Sequence, residues 1–361
     1  MTDSAIARID EDAPAERSVV ARYRRVLWPG EAWRSYRALL LEASGAEGLR
    51  VLPLLRFRGV AIDLLDESSA MTTGTFKSLV GCVTAARCRH EGLTRVVFES
   101  GGNTGTAIAV YGRRAGLETT FVVPAANAAR LDPDLVAGSR VIAVDDPARV
   151  KATARRLGRE EGSIHVPRVA WSLEGAGYAG AFLLERALRH DERWDLLTQS
   201  ICAAFGPIGL YRALAPLAPL PRFLGVRPAG GSRLSRVMYD RHPETYGTFG
   251  ELDALVARTG GRVISTGEET FARWFERPID GATIVERCGA AGLAVQLDAG
   301  GAIAEKTGFV ALAGLLDEID AGRVPAGTRA LVCLTGGAAP ANRPARANRP
   351  ARAIPPERAA T

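Results

Sequence analysis

One lysine of the chain stands in a setting that favours amine chemistry. Lys77 follows residues 71–76, MTTGTF, a small hydroxyl-rich turn that places an aromatic ring beside the lysine. Partial loss of water lowers the pKa of an amine and lets it attack a carbonyl carbon. Lys77 is therefore the first candidate for a catalytic group, and the alternative is a solvated surface charge, the common fate of lysine.

Two glycine-rich turns lie downstream, each between a predicted strand and a predicted helix. The first is residues 99–105, ESGGNTG, which contains Asn103, and the second is residues 205–209, FGPIG. Ligands of open α/β sheets bind at such turns, where backbone N–H groups and the positive end of a helix can hold an anion. The second turn is interpreted as a phosphate site, and an ordinary tight turn is the alternative for both.

Two further features bear on ligand binding. Thr335 ends the last apolar segment, so its hydroxyl is expected at the carboxyl edge of a sheet, where it could meet a ring nitrogen or cap a turn. Residues 175–180, GAGYAG, match the G-x-G-x-x-G pattern of dinucleotide sites. The preceding residues 170–174 make a poor strand and the downstream acids fall in a polar linker, so close helix packing is favoured over nicotinamide binding.

The elements that must position these residues alternate as in an α/β protein with parallel sheets. Predicted strands are 50–54, 59–65, 95–99, 119–123, 140–144, 163–166, 196–205, 222–226, 262–265 and 328–334. Predicted helices are 76–89, 107–115, 148–161, 175–189, 208–214, 251–258, 267–276 and 308–321, preceded by packing helices within 19–44. Lys77 is thus expected near a helix start. Residues 230–250 lack periodicity and are predicted to be a mobile loop near the site.

Size and charge fit an enzyme of two domains. A chain of 361 residues with 47% hydrophobic residues is too long for one small core. The net charge is +6, but residues 341–361 hold five arginines and one glutamate, so four of these charges lie in the tail. The near-neutral body carries no nucleic-acid footprint. The tail repeats ANRPAR and is predicted to be disordered.

The cysteines and histidines indicate the compartment and argue against a metal site. Five cysteines without C-x-x-C spacing suggest buried thiols in a reducing cytoplasm. None of the four histidines is spaced as a metal pair, so no metal is predicted. No segment approaches a membrane span, and residues 1–17 lack the apolar core of a signal peptide. We therefore expect a cytoplasmic protein with no membrane partner.

The ordered motifs together resemble the fold-type II pyridoxal-phosphate enzymes, the tryptophan synthase β superfamily. They are TGTFKS around Lys77, SGGNTG around Asn103, the glycine turn at 206–209 and a last strand that ends in LTGG. The resemblance covers roughly residues 50–340 and is greatest to threonine synthase and cysteate synthase, through Tyr246-Gly247 ahead of the helix 252–259 and through residues 308–337.

The resemblance implies pyridoxal 5'-phosphate as the cofactor and assigns roles by position. Lys77 would hold the cofactor covalently and later move the α-proton of the substrate. Asn103 would bond the 3-hydroxyl group and Thr335 would face the pyridine nitrogen. The phosphate would bind at Gly206, Pro207, Ile208 and Gly209, with N–H groups from all but the proline, and the substrate carboxylate at Ser100, Gly101, Gly102 and Thr104.

The implied fold has two domains, each an open, mainly parallel sheet flanked by helices. The expected division is 1–45 as an arm with helices, 46–90 with 190–340 as the large cofactor-binding domain, 91–189 as a small mobile domain, and 341–361 as the tail. A homodimer is expected from the family.

Departures from threonine synthases shape the predicted reaction. Met71-Thr72 replaces Asn-Pro, Ser78-Leu79 replaces Asp-Arg, Glu305-Lys306-Thr307 replaces Glu-Pro-Ser/Ala, and Gly101 replaces a hydroxyl residue. We predict elimination of an activated oxygen substituent such as phosphate from an amino acid and addition of a small nucleophile, with β-replacement favoured. The alternatives are threonine synthase-type γ-elimination with β-addition and a catalytically reduced binding protein. Candidate sites for a second anion are Arg227, Arg233, Arg236 and Lys306.

Overall fold

The computed structural model of the protein describes residues 6–166, 168–229, 247–338 and 357–358. The strands are β1 (Arg50–Phe57), β2 (Val60–Asp66), β3 (Arg95–Glu99), β4 (Glu118–Pro124), β5 (Arg140–Val144), β6 (Ile164–Val166), β7 (Leu196–Ser200), β8 (Arg222–Pro228), β9 (Arg262–Thr266), β10 (Arg329–Leu334) and β11 (Glu357–Arg358). The helices are α1 (Ala15–Leu27), α2 (Arg34–Ala43), α3 (Lys77–His90), α4 (Asn103–Arg114), α5 (Ala125–Ala128), α6 (Pro133–Val136), α7 (Val150–Glu160), α8 (Val169–Arg189), α9 (Phe205–Leu214), α10 (Gly247–Thr259), α11 (Glu268–Phe275), α12 (Ile284–Ala290) and α13 (Lys306–Asp320).

The larger sheet has six strands in the order β1-β2-β10-β7-β8-β9. Only β1 is antiparallel to its neighbour among these described strands, and the other pairs are parallel. Cys333 lies in register with Leu65 on one side and Gln199 on the other. Because parallel strands end at a common edge, the residues that follow β2, β7 and β10 lie close together there.

The smaller sheet has five strands in the order β11-β5-β4-β3-β6, all parallel. The two sheets and their flanking helices confirm the predicted α/β class of two mainly parallel sheets. Of the predicted tail, only residues 357–358 are described, and there the backbone pairs with β5. Of the predicted loop 230–250, only residues 247–250 are described, and they form the first turn of α10.

One apolar core lies between the sheets and is filled by α1, α2, α3, α4, α8 and α9. It joins Phe98 and Phe121 of the smaller sheet to Leu197 and Leu331 of the larger one. A second core lies on the far side of the larger sheet under α11, α12 and α13, and a third lies between the smaller sheet and α7. Each sheet is therefore covered on both faces, as parallel sheets require.

The G-x-G-x-x-G match lies inside α8 and has a packing role. A side chain at Gly180 would overlap the backbone oxygen of Leu210 in α9, and one at Gly175 would lie 2.7 Å from the Cα of Val80 in α3. These glycines let three helices approach closely. The predicted helix-packing interpretation is confirmed for the motif, whose residues form no strand-to-helix turn.

Three predicted elements are corrected. The strand 196–205 ends at Ser200, and Phe205 begins α9, because the chain turns at Ala204 with a left-handed φ of 59°. The apolar residues of that turn imitate a continuing strand. Helix α8 begins at Val169, ahead of the predicted 175, and α4 begins at Asn103, ahead of the predicted 107. Helix α12, which begins with a capping box of Thr283 and Glu286, was not predicted.

Candidate active site

Lys77 is the first residue of α3, at the carboxyl edge of the larger sheet. The turn before it is tied to the end of β10, since the N–H of Phe76 donates to the carbonyl oxygen of Thr335 over 3.2 Å. The N–H of Lys77 donates to Thr75 Oγ1 at 3.3 Å. Two of the predicted site residues, Lys77 and Thr335, are thereby held next to each other.

Lys77 is only partly exposed, and its amine lies among aromatic rings. Its Nζ stands 4.2 Å from the ring centre of Phe76 and 5.6 Å from that of Phe205. Burial lowers the pKa of Lys77 to about 8, although the nearby Cys202 and Glu67 act in the opposite direction. The neutral, nucleophilic amine is therefore accessible near neutral pH, as the sequence predicted for this turn.

The residues that replace the threonine synthase motif around Lys77 hold the turn. Ser78 Oγ accepts a hydrogen bond from the N–H of Thr73 at 3.1 Å and lies 2.9 Å from Thr73 Oγ1. Thr72 Oγ1 donates to the buried carboxylate of Glu47 at 2.6 Å, and the hydroxyl of Tyr111 bonds to the same carboxylate. Ser78 and Thr72 therefore have structural partners of their own.

A buried carboxyl group follows β2 at the same edge. Glu67 is 2% exposed, and its N–H donates to the carbonyl oxygen of Leu334 at 3.1 Å. Its Oε2 has no hydrogen-bond partner among the described residues. Burial and the neighbouring Asp66 raise the pKa of Glu67 to about 8, and Lys77 opposes this rise. Glu67 was not singled out from the sequence, where it is one acid among forty acidic residues.

The predicted phosphate turn forms the start of α9. Its geometry changes which backbone N–H groups are expected to donate hydrogen bonds to a phosphate. Helix geometry leaves the N–H groups of the first turn without helical partners, and here those belong to Phe205 and Gly206, since Pro207 has none. The N–H of Ile208 is already bonded to the carbonyl oxygen of Ala204 at 3.2 Å. A side chain at Gly209 would overlap the backbone oxygen of Leu173 in α8, so Gly209 serves helix packing.

Gln199 lies beneath this turn and carries another unsatisfied polar atom. It is 2% exposed, and its Oε1 has no hydrogen-bond partner in the described part of the chain. A Cβ at Gly206 would lie 2.7 Å from Gln199 Nε2. Unsatisfied buried polar atoms are rare in native proteins. Those of Glu67 and Gln199, together with the low pKa of Lys77, fit a polar group held at this edge.

The predicted substrate loop joins β3 to α4. The N–H of Ser100 donates to the carbonyl oxygen of Val122 at 3.2 Å, and Ser100 Oγ accepts from the N–H of Gly102 at 3.1 Å. The carbonyl oxygen of Gly101 accepts from Asn127 Nδ2 at 2.5 Å. Thr104 is half-buried in the first turn of α4. Asn127 was missed, since nothing in its AANA context points to a ligand loop.

Asn103 is exposed and begins α4. Helices α3 and α4 pack closely, because a Cβ at Gly81 would lie 2.7 Å from the backbone of Ala107. Gly81 and Ala107 each lie one turn beyond Lys77 and Asn103, the first residues of their helices. The two helices therefore touch one turn after each of these predicted site residues.

Two of the predicted anion-binding cations are described, and both lie at the carboxyl edge of the larger sheet. Arg227, near the end of β8, has its guanidinium 5.3 Å from the ring centre of Phe249. Lys306 begins α13, and its Nζ is 5.5 Å from the ring centre of Phe271. Arg233, Arg236 and Tyr246 lie outside the described residues.

The described chain also contains a cavity away from Lys77. A cavity of about 310 Å³, lined by Trp194, Leu214 and Arg222 among others, lies at the amino ends of β7 and β8, opposite the Lys77 edge. Within the described ranges, no three His, Cys, Asp or Glu side chains cluster as a metal site. No helix of those ranges has the length and apolar character needed to cross a membrane.

Known protein families and known proteins are similar to this chain. The model of the family described as pyridoxal-phosphate dependent enzyme matches residues 47–336. Threonine synthase of Synechocystis sp. is 28% identical over 279 residues, which cover 73% of this chain and 68% of that protein. Threonine synthase of Mycobacterium leprae is 27% identical over 331 residues, with 88% and 87% covered.

Solved structures share the fold at low sequence identity. O-ureido-L-serine synthase superposes with a TM-score of 0.61 at 15% identity, covering 82% of this chain and 91% of that one. Maize serine racemase gives 0.59 at 18% identity, with 84% and 93% covered. The fold is that of the fold-type II enzymes, and the cofactor is pyridoxal 5'-phosphate. With a family match over most of its length, the chain belongs to the pyridoxal-phosphate dependent enzyme family.

Proposed function

We propose that the protein eliminates an activated oxygen substituent, such as phosphate, from a small amino acid and adds a small nucleophile in its place, by β-replacement. In this proposal Lys77 holds the cofactor through its amine. When bound, the cofactor supplies an electron sink for the bonds at the α-carbon. The residues of the chain bind and orient the substrate and move its protons.

The observation that carries the proposal is that a neutral hydroxyl residue, Thr335, follows β10 and is bonded through its backbone to the turn before Lys77. Thr335 is buried, and its backbone oxygen receives the N–H of Phe76 at 3.2 Å. A hydroxyl group opposite a ring nitrogen, in place of a carboxylate, leaves the ring a weaker electron sink and favours elimination and replacement over transamination. Lys77, with a pKa of about 8, can hold and return the α-proton.

We assign the remaining roles by the positions of the residues at strand ends and helix starts in the two sheets. The loop of Ser100, Gly101, Gly102 and Thr104 would bind the substrate carboxylate, and Asn103 would orient the ring. The first-turn N–H groups of α9 and the positive end of that helix favour a phosphate. Arg227 and Lys306 add positive charge for an anionic leaving group or nucleophile.

A substrate panel tests the proposal. Protein saturated with pyridoxal 5'-phosphate is given O-phospho-L-serine with sulfite and, separately, O-phospho-L-homoserine. Phosphate, ammonia and amino-acid products are measured. We expect phosphate release from O-phospho-L-serine and one cysteate formed per phosphate when sulfite is present. The Lys77→Ala variant should release none.

Two other outcomes would overturn the β-replacement proposal. Threonine and phosphate formed from O-phospho-L-homoserine would favour threonine synthase-type γ-elimination with β-addition. Failure to release phosphate or ammonia from any amino acid, with cofactor bound, would favour a catalytically reduced binding protein. The use of Ser78 to hold the turn, where threonine synthases carry an acid, motivates that alternative.

A further inference from the structure

Two neighbouring carboxyl groups at the end of β2 have opposite environments. The carboxylate of Asp66 accepts hydrogen bonds from the N–H groups of Ser68 and Ser69 at 3.0 and 2.9 Å and from Arg50 Nε at 2.9 Å. Glu67, the next residue, is 2% exposed and has an oxygen with no partner in the described chain. Asp66 is therefore satisfied by the fold, whereas the fold does not account for Glu67.

A buried carboxyl group with an unpaired oxygen is costly, because it has lost water without gaining full replacement. Such a group is retained more readily when it has a function, and functional sites are where perturbed acids gather. Glu67 also has its backbone fixed, by the bond from its N–H to Leu334 at 3.1 Å. Its position is therefore set by the sheet.

The same strand end fixes Lys77. Leu334 receives the N–H of Glu67, and the next residue, Thr335, receives the N–H of Phe76, which precedes Lys77. Glu67 follows Leu65, which lies in register with Cys333, and the alternation of side chains puts Glu67 and Cys333 on the same face. Helix α3, which begins at Lys77, packs on that face.

We propose that Glu67 is the proton-exchange partner of Lys77, a positioning residue that sets the charge of the amine. The step conserves charge and atoms: the ammonium of Lys77 gives one proton to the carboxylate of Glu67, which leaves a neutral amine and a neutral carboxylic acid. The reverse transfer restores the charged forms of the two groups. In the reaction, a proton that Lys77 takes from the α-carbon can be held by Glu67 and returned.

The other titratable groups around the pair leave this exchange intact. Asp66 is the neighbouring acid of Glu67, and its charge favours the protonated form of Glu67. Cys333 faces Glu67 from β10, and burial raises the pKa of its thiol, with Glu67 adding to that effect. Cys202 faces Lys77 from the turn before α9 and favours the protonated amine. Glu67 and Lys77 thus titrate as a coupled pair, so their proton losses overlap in pH.

The test uses the Glu67→Gln variant and a readout in addition to turnover. The protein is freed of cofactor, and the rate of pyridoxal phosphate attachment is followed by absorbance as a function of pH. In Glu67→Gln the lysine loses a neighbouring negative charge, so we expect the midpoint of the profile to fall by about one pH unit. Because Glu67 becomes negative over the same pH range and opposes proton loss from Lys77, the parent profile is spread over a wider pH range, and the Glu67→Gln profile should sharpen to that of a single proton loss.

Turnover supplies the second readout. Loss of the proton partner in Glu67→Gln should reduce kcat by at least about tenfold, while the amount of bound cofactor stays unchanged. The Glu67→Asp variant keeps an acid and should recover part of the lost kcat and the broad profile. Asp63→Asn is the matched control, because Asp63 is a buried acid on the same strand, bound to Trp194 and Arg329 and remote from Lys77.

The inference about Glu67 rests on the proposed function, in which Lys77 binds the cofactor. The role of Lys77 and the role of Glu67 can fail separately. Borohydride reduction and peptide mapping locate the cofactor in the parent protein. An adduct away from Lys77 would overturn the role of Lys77. An adduct on Lys77, combined with a Glu67→Gln profile and kcat within twofold of the parent, would overturn the proton-exchange proposal alone.

Discussion

At the scale of single residues, Lys77 combines a reactive amine with a rigid attachment. The backbone of Phe76, the residue before it, is held by the residue that follows β10, and the pKa of Lys77, about 8, lies well below that of a solvated lysine. The lowered pKa of the amine was predictable from the hydroxyl-rich turn and the aromatic neighbour. The contributions of Glu67, Gln199 and Asn127 were not, because each depends on contacts between segments far apart in the chain.

The lowered pKa of Lys77 predicts how cofactor attachment depends on pH. Only the neutral amine attacks the aldehyde, so the second-order rate should rise with pH, by about tenfold per pH unit well below pH 8, and level off above it. Stopped-flow absorbance of the cofactor-free protein measures this rate. A midpoint near 10, the value of an exposed lysine, would contradict the burial of the amine.

At the scale of elements, helix α8 packs closely against α9 and α3 at its glycines. A Cβ at Gly180 would overlap the backbone of α9, which cannot yield as a flexible side chain can. We expect Gly180→Ala to lower the free energy of unfolding by about 1–3 kcal/mol. Urea unfolding measures it. Gly289→Ala in α12 is the control, since its Cβ would meet nothing within 4 Å and should be neutral or stabilising.

The element scale also shows what sequence reasoning could reach. Apolar periodicity located every strand of the two sheets between residues 50 and 334, because buried parallel strands are continuous apolar runs. It placed the boundary of β7 wrongly, since Ile201 and Ala203 are apolar although they belong to a turn. The helix start at Phe205 followed from backbone conformation at Ala204, which composition does not reveal. Gly206 could be singled out from the sequence because it is a glycine in the turn after a buried strand. The helix-packing role of Gly209 could be recognised only from the position of Leu173 in the structure.

At the scale of the whole molecule, the N-terminal helix is part of the folded body. Arg22 in α1 pairs with Glu185 in α8 at 2.5 Å, and the hydroxyl of Tyr23 donates to Glu185 at 2.6 Å. Burial alone would raise the pKa of Glu185, but the hydrogen bonds from Arg22 and Tyr23 lower it below its usual value. The pair spans 163 positions and could not be predicted from sequence.

Removal of this carboxylate should destabilise the protein. Glu185→Gln leaves the partly buried Arg22 without its buried counter-charge, so we expect a loss of up to about 3–5 kcal/mol in the free energy of unfolding. Since the folded-state pKa of Glu185 is depressed, its contribution is present above the unfolded pKa and is lost as pH falls through the folded value. Urea unfolding of both proteins at pH 7 and at acid pH measures this. An equal difference at both pH values would contradict the role of the ion pair.

The assembly and domain arrangement of the protein stay predictions. A homodimer would give twice the chain mass of 38.3 kDa in sedimentation. Movement of residues 91–189 relative to the rest on substrate binding would appear as a more compact particle in solution scattering.

The central claim is that Lys77 carries the cofactor, and the chain allows a direct measurement. It contains three lysines, Lys77, Lys151 and Lys306, and Lys306 is exposed while Lys151 lies in α7 on the far side of the smaller sheet. The loaded protein is reduced with borohydride, digested and mapped by mass spectrometry. The phosphopyridoxyl group is predicted on the peptide that contains Lys77 and on neither of the others. An adduct on Lys151 or Lys306, or none in a protein that remains yellow, would contradict the account.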